Sequence, residues 1–135
     1  MSSRRDFLKG TLALAGAVAA SRVAGAQAGT VFPPGLIYTA AAPGRWAGKE
    51  GSHAPKVTVE GRKVTILTPH SMSEPHFIVK HTLITADGRF LGEKTFTAAS
   101  PKAESSYEVP ADVTGALWAT SFCNLHDLWL SEFTL

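Results

Sequence analysis

Only one cysteine, Cys123, occurs in this chain of 135 residues, so no disulfide can form within it, whatever compartment it occupies. Long apolar runs are also missing. The stretch at about residues 11–20 is too short and too rich in alanine to make a comfortable membrane span. Beyond residue 30 no window sustains helical periodicity, which excludes a bundle of helices. Methionine is confined to Met1 and Met72. What remains is 44% apolar and 18% charged, the balance of a soluble globular protein, long enough for one core and too short for two ordinary domains.

A strong charge imbalance is lacking too, although the formal net charge of +2 first hints at an anionic partner. The N-terminus explains it. Arg4 and Arg5 stand in the run S-R-R-D-F-L-K, followed by the alanine-rich stretch and a small-residue A-G-A at 24–26. This is the pattern of a twin-arginine export signal over residues 1–26, with cleavage expected after Ala26 or Ala28; an uncleaved anchor and an ordinary amphipathic helix are the alternatives. Those residues carry four of the thirteen basic side chains and one of the eleven acidic ones, leaving nine against ten. The mature protein therefore gives no case for nucleic acid, and its only membrane connection is through the signal. The expected location is the periplasm or another exported compartment. The twin-arginine route carries folded proteins, often around an inserted cofactor, which favours a metal site. It also exposes a lone thiol to oxidation unless the thiol is buried or bound.

The mature chain reads as strands. Residues 56–67 alternate β-branched and polar positions around Glu60-Gly61, and residues 76–96 do so around Asp87-Gly88, two hairpin signals. Further strands are expected at 106–109, 115–123 and 128–134. About seven short strands predict an all-β fold, an antiparallel sandwich of immunoglobulin-like type over 49–135. Residues 27–48, rich in Gly, Ala and Pro, read as an extended arm or loop.

The chain has five histidines: His53, His70, His76, His81 and His126. In H-F-I-V-K-H, His76 and His81 are five apart, so one strand would point them to opposite faces; a lone strand histidine is ordinarily a surface or satisfied core residue, and His81 is read that way. His70 and His76 flank S-M-S-E-P, a loop that can bring two imidazoles to one point. Cys123 and His126 form a C-x-x-H turn at a strand end. His53, in S-H-A-P, is the natural fourth nitrogen donor, with a non-ligating role as its equal alternative. Taken alone, a buried cysteine is most often an inert small hydrophobe, but the two spaced pairs occur together here. Four imidazoles and one thiolate exceed the four donors of structural zinc. Blue copper normally adds an axial methionine shortly after its second histidine, and none follows His126. Iron with one open position fits best.

T-P-H-S-M-S-E-P-H-F-I at 68–78, L-G-E-K-T-F at 91–96 and F-C-N-L-H-D-L-W at 122–129 together resemble the iron-binding domain of the superoxide reductases, the desulfoferrodoxin and neelaredoxin family. The resemblance runs from about Gly48 to Phe133. It implies an immunoglobulin-like sandwich and a ferrous ion held by four equatorial histidines, matching His53, His70, His76 and His126, with the Cys123 thiolate axial. It further implies one-electron reduction of superoxide to hydrogen peroxide, an external electron donor that the sequence does not identify, and possible homo-oligomers. Family members commonly carry Glu-Lys immediately before the first histidine, the lysine attracting superoxide and the glutamate occupying the sixth position of oxidised iron. Here those places hold Gly51 and Ser52, and a Lys49-Glu50 pair lies two residues earlier in the opposite order, either able to swing over the site on Gly51 or unrelated to it. Ser71 replaces the usual proline of H-P-M, and Asp127 stands where glycine is common. Trp118 and Trp129 are read as core. Two other functions share these residues: an exported electron-transfer protein, and a non-catalytic metal-binding module.

Overall fold

The computed structural model describes residues 32–135; the export signal expected at 1–26 and the start of the 27–48 segment lie outside them. Eight strands follow in chain order. They are β1 Ile37–Tyr38, β2 Lys56–Glu60, β3 Lys63–Thr68, β4 Ile78–Thr85, β5 Phe90–Thr95, β6 Ala103–Glu108, β7 Ala116–Cys123 and β8 Asp127–Thr134, with one helical turn, α1, at Glu50–His53. They form two sheets, β1-β8-β7-β4-β5 and β2-β3-β6, and every pairing is antiparallel except β1 with β8. This is the all-β, immunoglobulin-like sandwich. Both expected hairpins are present, with Gly61 at φ 62° between β2 and β3 and Gly88 at φ 95° between β4 and β5, backbone conformations that glycine adopts without a Cβ penalty. Among the described residues no helix is long and apolar enough to cross a membrane.

The segment expected as an arm is built into the fold over its described part. Ile37–Tyr38 pairs in parallel with Leu128 and Trp129, giving the eighth strand, and Gly44–Trp46 makes one 3-10 turn. Tyr38 is 1% exposed and lies 5.6 Å from the Trp129 ring, so burial of two aromatics, rather than strand length, holds this edge.

Alternation along β3 and β7 explains where the site forms. On β3 the inward positions run Val64, Ile66, Thr68; on β7 they run Leu117, Ala119, Ser121, Cys123. One end of the sandwich is therefore apolar, with Val64, Ile66, Leu83, Val109, Val113, Leu117 and Ala119 forming one cluster. Toward the other end comes a polar layer, and beyond it Cys123 and His70.

His81 fills that polar layer and is fully buried. Thr68 Oγ1 donates to Ser121 Oγ at 2.7 Å, so Thr68 accepts from His81 Nε2–H at 2.8 Å and His81 Nδ1 accepts from the Ser105 hydroxyl at 2.8 Å. Burial, helped by the nearby Lys94 charge, lowers the His81 pKa to about 4. The unfolded chain binds that proton near 6.5, whereas folded His81 refuses it until about 4. The stability this group contributes is complete above pH 6.5 and is lost as pH falls through about 4. In metal-free protein, denaturant titrations should show His81 responsible for a loss of about 2 kcal/mol between pH 7 and pH 5. His81→Gln should lack that share; identical pH slopes in the two proteins would show that His81 is not held neutral.

Candidate metal centre

Each remaining histidine comes from a different turn at the polar end of the sandwich. His53 closes α1, where the Lys49 carbonyl accepts its backbone N–H at 3.0 Å and its Nδ1–H at 3.0 Å. That bond fixes the tautomer and leaves the Nε2 lone pair free. His70 follows β3, and its Nδ1 donates to the Ser71 carbonyl, which frees Nε2 in the same way. His76 precedes β4 in the tight turn that the Ser73–His76 bridge closes. His81 is therefore excluded on other grounds than the sequence supplied: His76 is not on the strand, and the register shift between Ile78 and Lys80 resets which residues face inward. Cys123 ends β7, and His126 lies in the short turn into β8, with its carbonyl held by Trp129 Nε1–H at 2.8 Å.

Asn124 links two of these turns. Its Oδ1 accepts from Phe77 N–H at 3.0 Å and its Nδ2 donates to the Pro75 carbonyl at 3.2 Å, tying the Cys123 turn to the His76 turn.

The donors converge. His126 Nδ1 lies 3.1 Å from His53 Nε2 and 2.9 Å from His76 Nε2, which is 2.9 Å from His70 Nε2. The rings of His53 and His70 close the circuit at 4.6 Å between centroids. Cys123 Sγ is 3.7 Å from His126 Nδ1, and the donor atoms of His53, His70, His76 and Cys123 all lie within 4.8 Å of one another. Hydrogen bonds do not account for this. With the ring protons of His53 and His70 spent on carbonyls, at most two protons remain for three close nitrogen contacts, and each can serve only one. A shared cation does account for it: imidazole nitrogens about 2.0–2.1 Å from one divalent ion, at the corners of a square, sit about 2.9 Å apart. The residues present fit a metal ion with nitrogen and sulfur donors.

Electrostatics prepare the same outcome. Burial pushes His53 down to about 4 and lowers His70 and His126, with neighbouring histidines adding to the effect, so these rings are neutral donors at pH 7. Burial raises the Cys123 thiol, while the N–H groups of Leu125 and His126 pull the other way by hydrogen-bonding the sulfur. Without a cation the thiol keeps its proton, and a bound cation turns it into thiolate. The Lys49 charge bears on His70, His126 and Cys123, lowering each. Glu50 is half-buried, with Oε2 shielded from solvent and without a hydrogen-bond partner among the described residues.

A family model described as desulfoferrodoxin matches residues 46–132, well over half the chain. The chain belongs to the desulfoferrodoxin family. A model of the twin-arginine translocation signal sequence matches residues 1–21. Among solved structures the chain is similar to superoxide reductase (1Fe-SOR) from Giardia intestinalis, at 26% identity and TM-score 0.57, covering 62% of this chain and 98% of that one. It is also similar to superoxide reductase (neelaredoxin) from Ignicoccus hospitalis, at 25% identity and TM-score 0.63, covering 74% and 94%. The superoxide reductase from Treponema pallidum follows at 28% identity and TM-score 0.51, covering 63% and 69%. No curated protein sequence matches.

All five converging donors of this desulfoferrodoxin-family chain fall inside the matched span. Asp127 takes φ 66°, a value that explains why glycine suits the place and why Asp, which tolerates that region, can stand there. Sequence reasoning assigned no part to Asn124, Arg45 or Trp46. Asn124 was visible only as a polar residue inside the C-x-x-H turn, and Arg45 and Trp46 sit in a segment whose fold has no periodic signature.

Proposed function

We propose that this protein is an exported, periplasmic superoxide reductase that holds one non-haem iron through His53, His70, His76, His126 and Cys123. The observation that carries the reading is the convergence of four imidazole nitrogens, linked by three contacts of 2.9–3.1 Å, within reach of one buried sulfur. When bound, ferrous iron supplies the single electron that, with two protons, takes superoxide to hydrogen peroxide; an external donor then restores it. The chain's own residues do the rest. Neutral imidazoles leave the centre cationic, which favours an anionic substrate. The Leu125 and His126 N–H groups temper how strongly the sulfur donates. Ser121, Thr68 and His81 close the floor of the site against water with a satisfied network.

Lys49 and Glu50 take the parts of the family's Glu-Lys pair in this proposal. Lys49 draws the anion in, supported by its effect on three of the donors. Glu50 is a carboxylate with a spare acceptor on the same turn as His53. Lys49→Ala should slow the reaction with superoxide about tenfold at low ionic strength and flatten its salt dependence. Unchanged stopped-flow rates in low salt would remove Lys49 from the mechanism. The function itself is tested by mixing reduced, iron-loaded protein with a known dose of superoxide. One peroxide per oxidised iron, with no oxygen released, is the expected product ratio; iron that superoxide leaves reduced would instead indicate an electron carrier or a metal-binding module.

A further inference from the structure

We infer that Asp127, acting with Trp46 and Arg45, is a positioning residue that clasps the ring of His126 and so sets how firmly the centre holds its ion. The inference rests on His126 being a donor. His126 differs from its partners: His53 and His70 are oriented by Nδ1–H bonds to backbone carbonyls, whereas Nδ1 of His126 faces the other donors, and its Nε2 makes no hydrogen bond among the described residues. It is also only half-buried, in a short turn. Its ring must be oriented by what packs on it.

What packs on it is Trp46, edge to face, with ring centroids 4.6 Å apart and planes at 90°. Trp46 is itself held, because its Nε1–H donates to Asp127 Oδ2 at 3.0 Å. The same oxygen accepts from Arg45 Nη2 at 2.7 Å, and the Arg45 guanidinium lies 4.7 Å from the centre of the Trp46 ring. Arg45 Nε donates to the Tyr38 hydroxyl at 3.2 Å, Tyr38 packs on Trp129, and Trp129 Nε1 donates to the His126 carbonyl. The circuit starts and ends on His126, holding its ring from one side and its backbone from the other.

The backbone of Asp127 argues that its side chain has a purpose. At φ 66°, the only positive φ outside glycine among the described residues, glycine would adopt the turn with less strain. The carboxylate gives what glycine cannot, an acceptor for Trp46 and Arg45 at once. Arg45 also offsets a negative charge that would otherwise oppose an anion approaching beside His126. The ion pair lies at the surface, with Arg45 64% and Asp127 40% exposed, so it adds little to global stability and its loss should leave the fold intact.

The test compares ferrous-loaded full chain with Asp127→Gly, which keeps the turn, and Trp46→Phe, which keeps a ring and loses the donor. Three quantities are read: the rate at which excess chelator strips iron, the energy of the sulfur-to-iron charge-transfer band after oxidation, and the melting temperature of metal-free protein. Iron should leave about tenfold faster from Asp127→Gly, the scale of lost outer contacts to a metal ligand. Its band should shift or broaden while metal-free melting stays near wild type, Trp46→Phe should move in the same direction, and Asp127→Asn, which keeps an acceptor for Trp46, should recover most of the loss. Should Asp127→Gly melt early, Trp46→Phe carries the comparison with the turn untouched. Wild-type release rates and band energies in the variants would overturn the clasp. A wild-type protein that holds no iron would overturn the donor reading first, before any variant is compared.

Discussion

Cys123→Ser should abolish the sulfur-to-iron charge-transfer band of the oxidised protein and slow oxidation of the reduced protein by superoxide more than about 100-fold, beyond what lost outer contacts alone cause. Cys123 is fully buried beside Ile78, Phe96 and Ala103, an environment that would suit an inert core thiol. A core filler, however, gives no reason for four imidazoles to gather within reach of its sulfur. The two roles separate cleanly by substitution. If Cys123 only filled space, Cys123→Ala would cost stability through a small cavity, and spectra and kinetics would not change. As a metal donor it should in addition lose band and rate in both variants, whatever the small cavity costs the metal-free protein. Absorption spectra and stopped-flow mixing, with calorimetry of the metal-free proteins, check the three quantities together.

His126→Ala should sharply reduce the rise in melting temperature that ferrous iron gives the wild type. An ion at a hundred times its dissociation constant stabilises the folded state by about 2.7 kcal/mol, or roughly 10–20 °C for a domain of this size. His126 is the link in the ring, since its Nδ1 is the atom that approaches His53, His76 and Cys123. Its removal leaves three imidazoles and a thiol still within 4.8 Å of one another, but without the nitrogen that approaches three of them. Metal-free His126→Ala should melt close to the wild type, because the nitrogen contacts it loses were never all hydrogen bonds and the ring is only half-buried. Scanning calorimetry with and without iron gives the answer. A variant that keeps the full metal-dependent rise would show that His126 is outside the donor set.

The sequence displayed the sandwich well and the lining of the site unevenly. Strand alternation, Glu60-Gly61 and Asp87-Gly88 gave the two hairpins because inward and outward positions differ in chemistry along β3, β4 and β7. The two-residue strand Ile37–Tyr38 has no such pattern; it exists because Tyr38 buries its ring on Trp129, a long-range contact that local propensity does not encode. The separation of His81 from the other histidines was legible, but the cause differs, since His76 lies in a turn and a bulge follows it. A left-handed backbone at Asp127 was a legible option from chemistry alone, and the structure has it. The partners of that carboxylate were not, because Arg45 and Trp46 meet it across more than eighty residues of chain.

The most direct test of the account is X-ray absorption at the iron edge on reduced protein that acquired its iron during expression. Four nitrogen scatterers with imidazole signatures and one sulfur scatterer are expected, with the sulfur missing from Cys123→Ser. A shell without sulfur, or with fewer than four imidazoles, would contradict the assignment of His53, His70, His76, His126 and Cys123 as one centre.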